Sequence, residues 1–153
     1  MYEKPSYEEL EKKFKELEIE AYEGKRAKEA LRTSQEYARN VIDSSLDMII
    51  TVDSDRYIVE FNKAAEKTFG YRREEVIGKL ADLLYANRGQ GLAVHEKTLE
   101  HGHCVQEILN SRKNGELFPS FLSASLLRDA HGKVVGVMGV SCDITARKQA
   151  EAE

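Results

Sequence analysis

At 153 residues, 41% hydrophobic and 33% charged, the chain has length for one compact domain and an appendage. A net charge of −4, with both signs interspersed and no basic patch, argues against a nucleic-acid partner. No apolar run reaches the length of a membrane span, no signal peptide opens the chain, and Cys104 and Cys142 are too few for a disulfide framework. The expected setting is the cytoplasm without direct membrane contact, as a piece of a longer protein whose other parts are free to be anchored.

Much of the charge lies before residue 41, where a helix is expected. Pro5 and Ser6 stand where its first turn needs a cap. Tyr7, Leu10, Phe14, Leu17, Ala21, Leu31, Ala38 and Ile42 keep a seven-residue register, the a/d stripe of a coiled coil. Residues 1–42 are therefore read as a dimerising helix, with Tyr7 to Ile42 spanning about 50 Å. Leu10, Phe14, Leu17, Ala21, Leu31, Ala38 and Ile42 form the homodimer seam. Gly24, Lys28 and Gln35 weaken its centre, as a parallel pair that changes pitch or register would need. The competing reading is one helix packed on its own domain.

After Asp43-Ser44-Ser45 the period changes to that of strands. Met48 to Asp53 and Tyr57 to Phe61 read as a hairpin turning at Ser54-Asp55. Asn62 caps a helix from Lys63 to Phe69 that Gly70 ends, and Arg73 to Ile77 forms a further turn stopped by Gly78. A longer helix is placed from Leu92 to His101. Strands from Val105 to Ser111, Leu117 to Leu127 and Val134 to Ile144 follow, joined at Asn114-Gly115 and His131-Gly132. The fold class is α+β, with Ala146 to Glu153 leaving as a helix.

Phe61-Asn62-Lys63-Ala64-Ala65-Glu66, Phe69-Gly70-Tyr71 and Glu74-Glu75-Val76-Ile77-Gly78-Lys79 resemble the front half of a PAS domain. Arg112-Lys113-Asn114-Gly115-Glu116 and Asp143-Ile144-Thr145 resemble its back half. The likeness covers residues 41–145, and Lys25-Arg26-Ala27 through Ala30-Leu31 resembles the helical linkers of bacterial multi-PAS sensor kinases. It implies a five-stranded antiparallel sheet with short helices over one face and a pocket between them. The implied organisation is a PAS domain over 43–145 and a signalling helix beginning at 146–153, with Asp143, Ile144 and Thr145 as the signal exit.

Given that template, strand alternation turns Ser120, Leu122, Ala124, Val137, Gly139 and Ser141 toward the pocket, with Leu99 from the helical side. This set is small and partly polar, so it leaves room for a small-molecule ligand. Alternatively Leu83, Leu84 and Leu99 fill the space, and the domain dimerises and relays without a ligand. Flavin is unlike the residues present, because Ala81 stands at the photoadduct cysteine, Ser141 at the flavin-contacting glutamine, and the chain has no tryptophan. For haem, Gly91 falls at the proximal histidine and His95 one turn on, so a slipped helix would be needed to make His95 the ligand. No cofactor is required.

His101-Gly102-His103-Cys104 gathers metal-type donors but spans a helix end and a strand start, so no metal site is assigned. No phosphate loop, nucleophile elbow or zinc-protease motif is present, nor a kinase's phosphoacceptor or ATP-binding motifs, so the chain is not read as an enzyme. The expected function is sensory input to a bacterial signalling protein, first of all a sensor histidine kinase, with the output domain of that protein as partner.

Overall fold

The computed structural model describes residues 3–153. Backbone contacts divide the chain after Val41, giving a helical unit and a second unit, Ile42–Glu153.

Helix α1 runs Tyr7–Ser44, 38 residues or about 57 Å, and buries no side chain. Its start is a capping box. The Ser6 hydroxyl accepts from the Glu9 amide at 3.2 Å, and the Glu9 carboxylate accepts from the Ser6 amide at 3.1 Å.

The second unit is built on an antiparallel sheet of β1 (Met48–Asp53), β2 (Ile58–Phe61), β3 (His103–Ser111), β4 (Leu117–Arg128) and β5 (Val134–Asp143), in the order β2-β1-β5-β4-β3. β1 and β5 approach closely at Gly136, where a Cβ would fall 2.0 Å from the Val52 carbonyl oxygen. Only glycine fits there. The helices are α2 (Lys63–Phe69), α3 (Arg73–Val76), α4 (Arg88–His101) and α5 (Thr145–Ala152), with a 3₁₀ turn at Ala81–Leu84 that sequence reading did not anticipate.

Asn62 and Gly70 bound α2 as expected. The Asn62 Oδ1 accepts from the Ala65 amide, and Gly70 takes the left-handed φ of 84°. Helix α4 begins four residues before the expected Leu92, because the Asn87 Oδ1 accepts from the Gly89 amide and caps a first turn that has no apolar period.

Two apolar clusters fill the space between helices and sheet. In the first, Phe61, Phe69 and Phe118 pack as an aromatic row, with ring centroids 5.9 and 5.3 Å apart. Each contributes about 1.5–3 kcal/mol by burial, and each ring pair about 0.5–1.5 kcal/mol more. The second joins Val94 of α4 to Cys104, Ile108, Leu122, Ala124 and Val137 of the sheet.

Candidate functional site

Between the two clusters lies a cavity with about 70 Å³ of room for the centre of a water-sized sphere. Its sheet wall is Ile50 and Val52 of β1, Ile108 and Asn110 of β3, Leu122 and Ala124 of β4, and Val137, Gly139 and Ser141 of β5. Phe69, Ala81, Leu84, Tyr85, Gly91, Val94 and His95 close the helical side, and Arg56 reaches in from the β1–β2 turn. The space exists because opposing positions are small. Gly139 has no side chain where a Cβ would meet the Leu122 Cδ1 at 3.1 Å.

Leu122, Ala124, Val137, Gly139 and Ser141 thus meet around one cavity. Ser120 is fully buried on the same strand face but lies outside the lining, and its hydroxyl has no partner among the described residues. Leu99 is elsewhere and half exposed. The buried face of α4 is Gly91, Val94, His95 and Thr98, and Leu99 falls just beyond that stripe. Of the proposed fillers, Leu84 lines the cavity and Leu83 packs beside it in the first cluster.

Three polar residues of the cavity, Arg56, Tyr85 and Asn110, escaped sequence reading. Arg56 adopts a left-handed φ of 71°, which turns the chain after Asp53. Its guanidinium pairs with Asp82 in the 3₁₀ turn, and its carbonyl accepts from the Ala81 amide at 3.0 Å. Asn110 is 3% exposed. Its Nδ2 donates to the Leu84 carbonyl at 2.9 Å, while its Oδ1 has no partner among the described residues.

His95 is 7% exposed, and its Nε2 has no partner among the described residues. Burial pushes the His95 pKa down, with the Arg56 charge acting in the same direction. A hydrogen bond with the Ser54 backbone and the charges of Asp53 and Glu96 oppose them. The ring is therefore neutral near pH 7. Burial likewise pushes the Tyr85 phenol up to about 12.

The cofactors of related folds do not fit this wall. A Cβ at Gly91, the position expected for a haem ligand, would lie 2.8 Å from the Arg56 guanidinium and 3.0 Å from the Tyr85 ring. His95 faces the cavity without any helix slip, yet the volume falls far below the roughly 300–1,000 Å³ that drug-sized ligands occupy, and a porphyrin is larger still. The same volume is too small for a flavin, and Ala81 offers no thiol. His101 and His103 are exposed while Cys104 is buried, and no cluster of metal-type side chains forms among the described residues.

At the end of β5, Arg112 links the helical layer to the chain's exit. Its guanidinium donates to the Thr68 carbonyl at 2.5 Å and to the Asp143 carboxylate at 2.8 Å, and it stacks 4.0 Å over the Phe118 ring. Burial raises the Asp143 pKa, but hydrogen bonds from Thr145 and Arg112 outweigh it and hold the carboxyl below its usual value. The Ile144 amide donates to the Pro119 carbonyl at 3.0 Å, and Lys148 of α5 pairs with Glu107 of β3 at 2.7 Å.

On α1, Leu10, Phe14, Leu17 and Leu31 are each more than half exposed, Ala21 and Ala38 are exposed, and Ile42 is half-buried. No helix among the described residues is long and apolar enough to cross a membrane.

Comparison with known proteins places these features in a family. The PAS domain family matches residues 46–146. The signal transduction histidine-protein kinase AtoS of Escherichia coli (strain K12) is 30% identical over 125 residues, which are 80% of this chain and 20% of that kinase. The cell-division control histidine kinase PdhS of Brucella ovis is 28% identical over 133 residues, 82% of this chain and 12% of that kinase. The chain therefore spans a fifth or less of these two kinases. Among solved structures, the PAS domain of a protein from Colwellia psychrerythraea superposes with a TM-score of 0.68 at 24% identity, covering 75% of this chain and 99% of that one. The PAS domain of an HTR-like protein from Haloarcula marismortui gives 0.65 at 20% identity, covering 78% and 99%.

Proposed function

The chain belongs to the PAS domain family, and from that premise we propose that it is the sensory input domain of a histidine-kinase-type signalling protein. A small molecule enters the cavity, the sheet shifts, and the change leaves through Asp143, Ile144 and Thr145 into α5 and the output domain. The chain itself catalyses nothing, and it works as a dimer joined along α1.

One observation carries this reading. Strand β5 supplies Val137, Gly139 and Ser141 to the cavity wall and, two residues later, Asp143 to the Arg112 clamp where α5 begins. An occupant that displaces β5 has a short covalent path to the exit. The dimer rests on the seam of α1, whose large apolar side chains are exposed among the described residues.

Gly139→Val tests the path without a ligand, because it puts side-chain atoms into the cavity from β5. Backbone amide NMR is expected to show shifts at Thr145 to Ala150 as well as around the cavity. A folded variant whose α5 amides do not move would contradict the path. Leu17→Asp would place a carboxylate in the seam and is expected to give monomers by light scattering. An unchanged mass would remove the dimer from the reading.

A further inference from the structure

Two buried acceptors in the cavity are unmatched, and their chemistry restricts what can sit there. The Asn110 Nδ2 is committed to the Leu84 carbonyl, which only accepts, so the amide cannot be flipped and Oδ1 is the free atom. On His95 the free atom is Nε2, and the bond to the Ser54 backbone falls to Nδ1, leaving a lone pair at Nε2 in the neutral ring. Both atoms belong to residues more than nine-tenths buried in the cavity wall. A buried acceptor left without a donor is a destabilising feature that a donor can relieve.

The one cation of the wall, Arg56, already has Asp82 as counter-ion. A second cation would therefore meet the Arg56 charge, and an anion would face two lone pairs. Apart from the hydroxyls of Tyr85 and Ser141, the remaining walls, Ile50, Val52, Val94, Ile108 and Leu122 among them, are apolar and hold water poorly.

We infer that the cavity receives a small uncharged molecule with an apolar body and two hydrogen-bond donors, of the vicinal diol or primary amide class, which donates to His95 Nε2 and Asn110 Oδ1. This rests on the reading of the cavity as a ligand site. It goes further by fixing the ligand as a donor rather than an anion or a prosthetic group.

The test titrates the whole chain, uniformly labelled with ¹⁵N, with 1,2-propanediol, with propionamide and with propionate, a size-matched anion. The diol and the amide are expected to give saturable shifts at the His95 and Asn110 side chains. Propionate is expected to bind at least tenfold more weakly. His95→Phe removes one acceptor and should weaken the diol about tenfold, and Asn110→Leu serves as a second variant should the first fail to fold.

Saturable propionate binding with protonation of His95 would overturn the donor class while leaving a ligand sensor standing. Linear, unsaturable responses to all three compounds would overturn the inference and assign the two acceptors to ordered water. Failure of the sensory reading itself shows separately, in the α5 amides of Gly139→Val, which need no ligand.

Discussion

Two buried asparagines of this domain are used in opposite ways. Asn62, fully buried ahead of α2, satisfies its whole side chain. Its Oδ1 accepts from the amides of Ile49 and Ala65, each at 3.0 Å, and its Nδ2 donates to the carbonyls of Ile42 and Asp47 at 2.9 and 3.0 Å. Asn110, almost as buried on β3, makes one such bond and leaves its oxygen without a partner among the described residues, and the Nε2 of His95, which lines the same cavity, is in the same condition. Completed polar networks fix structure, whereas incomplete ones hold a cost that a ligand can relieve. The region around Asn62 is built for stability, and the cavity, on the function proposed above, for exchange of an occupant.

The largest test of that contrast is Asn62→Ala. It strips the α2 cap and leaves two carbonyls and two amides to find other partners, so a loss of about 2–4 kcal/mol is expected. For a domain of this size that is a fall in Tm of about 10 °C or more. A shift of only a degree or two would mean that the network does not organise the fold.

At the cavity the sign is expected to reverse. His95→Leu removes an unmatched acceptor in favour of an apolar side chain, so stability without ligand should hold or rise by about 1 kcal/mol. A loss as large as that of Asn62→Ala would place His95 among the structural residues.

The pH dependence is a smaller effect with a definite direction. Because folding pushes the His95 pKa down, the unfolded chain binds the proton more readily. The stability from neutral His95 is present above the unfolded value near 6.5 and is lost as pH falls below it. Asp143, held below its usual value, loses its contribution only in more acidic solution. Thermal melts between pH 7 and 5 should therefore show a decline that His95→Leu reduces. An identical decline in the variant would remove His95 as its source.

The sequence made these two regions legible to different degrees. The Asn62 cap, the Gly70 stop and the succession of strands along the chain followed from local chemistry, because a cap or a hairpin glycine declares itself within a few residues. Alternation along β4 and β5 brought Leu122, Ala124, Val137, Gly139 and Ser141 to one face, the face that borders the cavity. Carried along β3, the same alternation from Cys104 through Ile108 would have reached Asn110.

Arg56 was hidden for another reason. Its left-handed conformation sits at the end of a turn expected to centre on Ser54 and Asp55, and its partner Asp82 lies in the 3₁₀ turn, which has too few residues to show a period. Leu99 was drawn inward by hydrophobicity alone, although the small and polar residues of α4 form its buried face. The apolar register of α1 was visible in the sequence, and the exposure of its large side chains in a single chain is a structural finding.

The most direct test of the account follows the backbone amides of Gly139, Ser141 and Thr145 together while 1,2-propanediol is added to the whole chain. If the cavity wall and the exit belong to one event, all three resonances move and saturate at a single midpoint. Shifts at Gly139 and Ser141 that saturate while Thr145 stays fixed would contradict the account, because the cavity would then bind its ligand without reporting it.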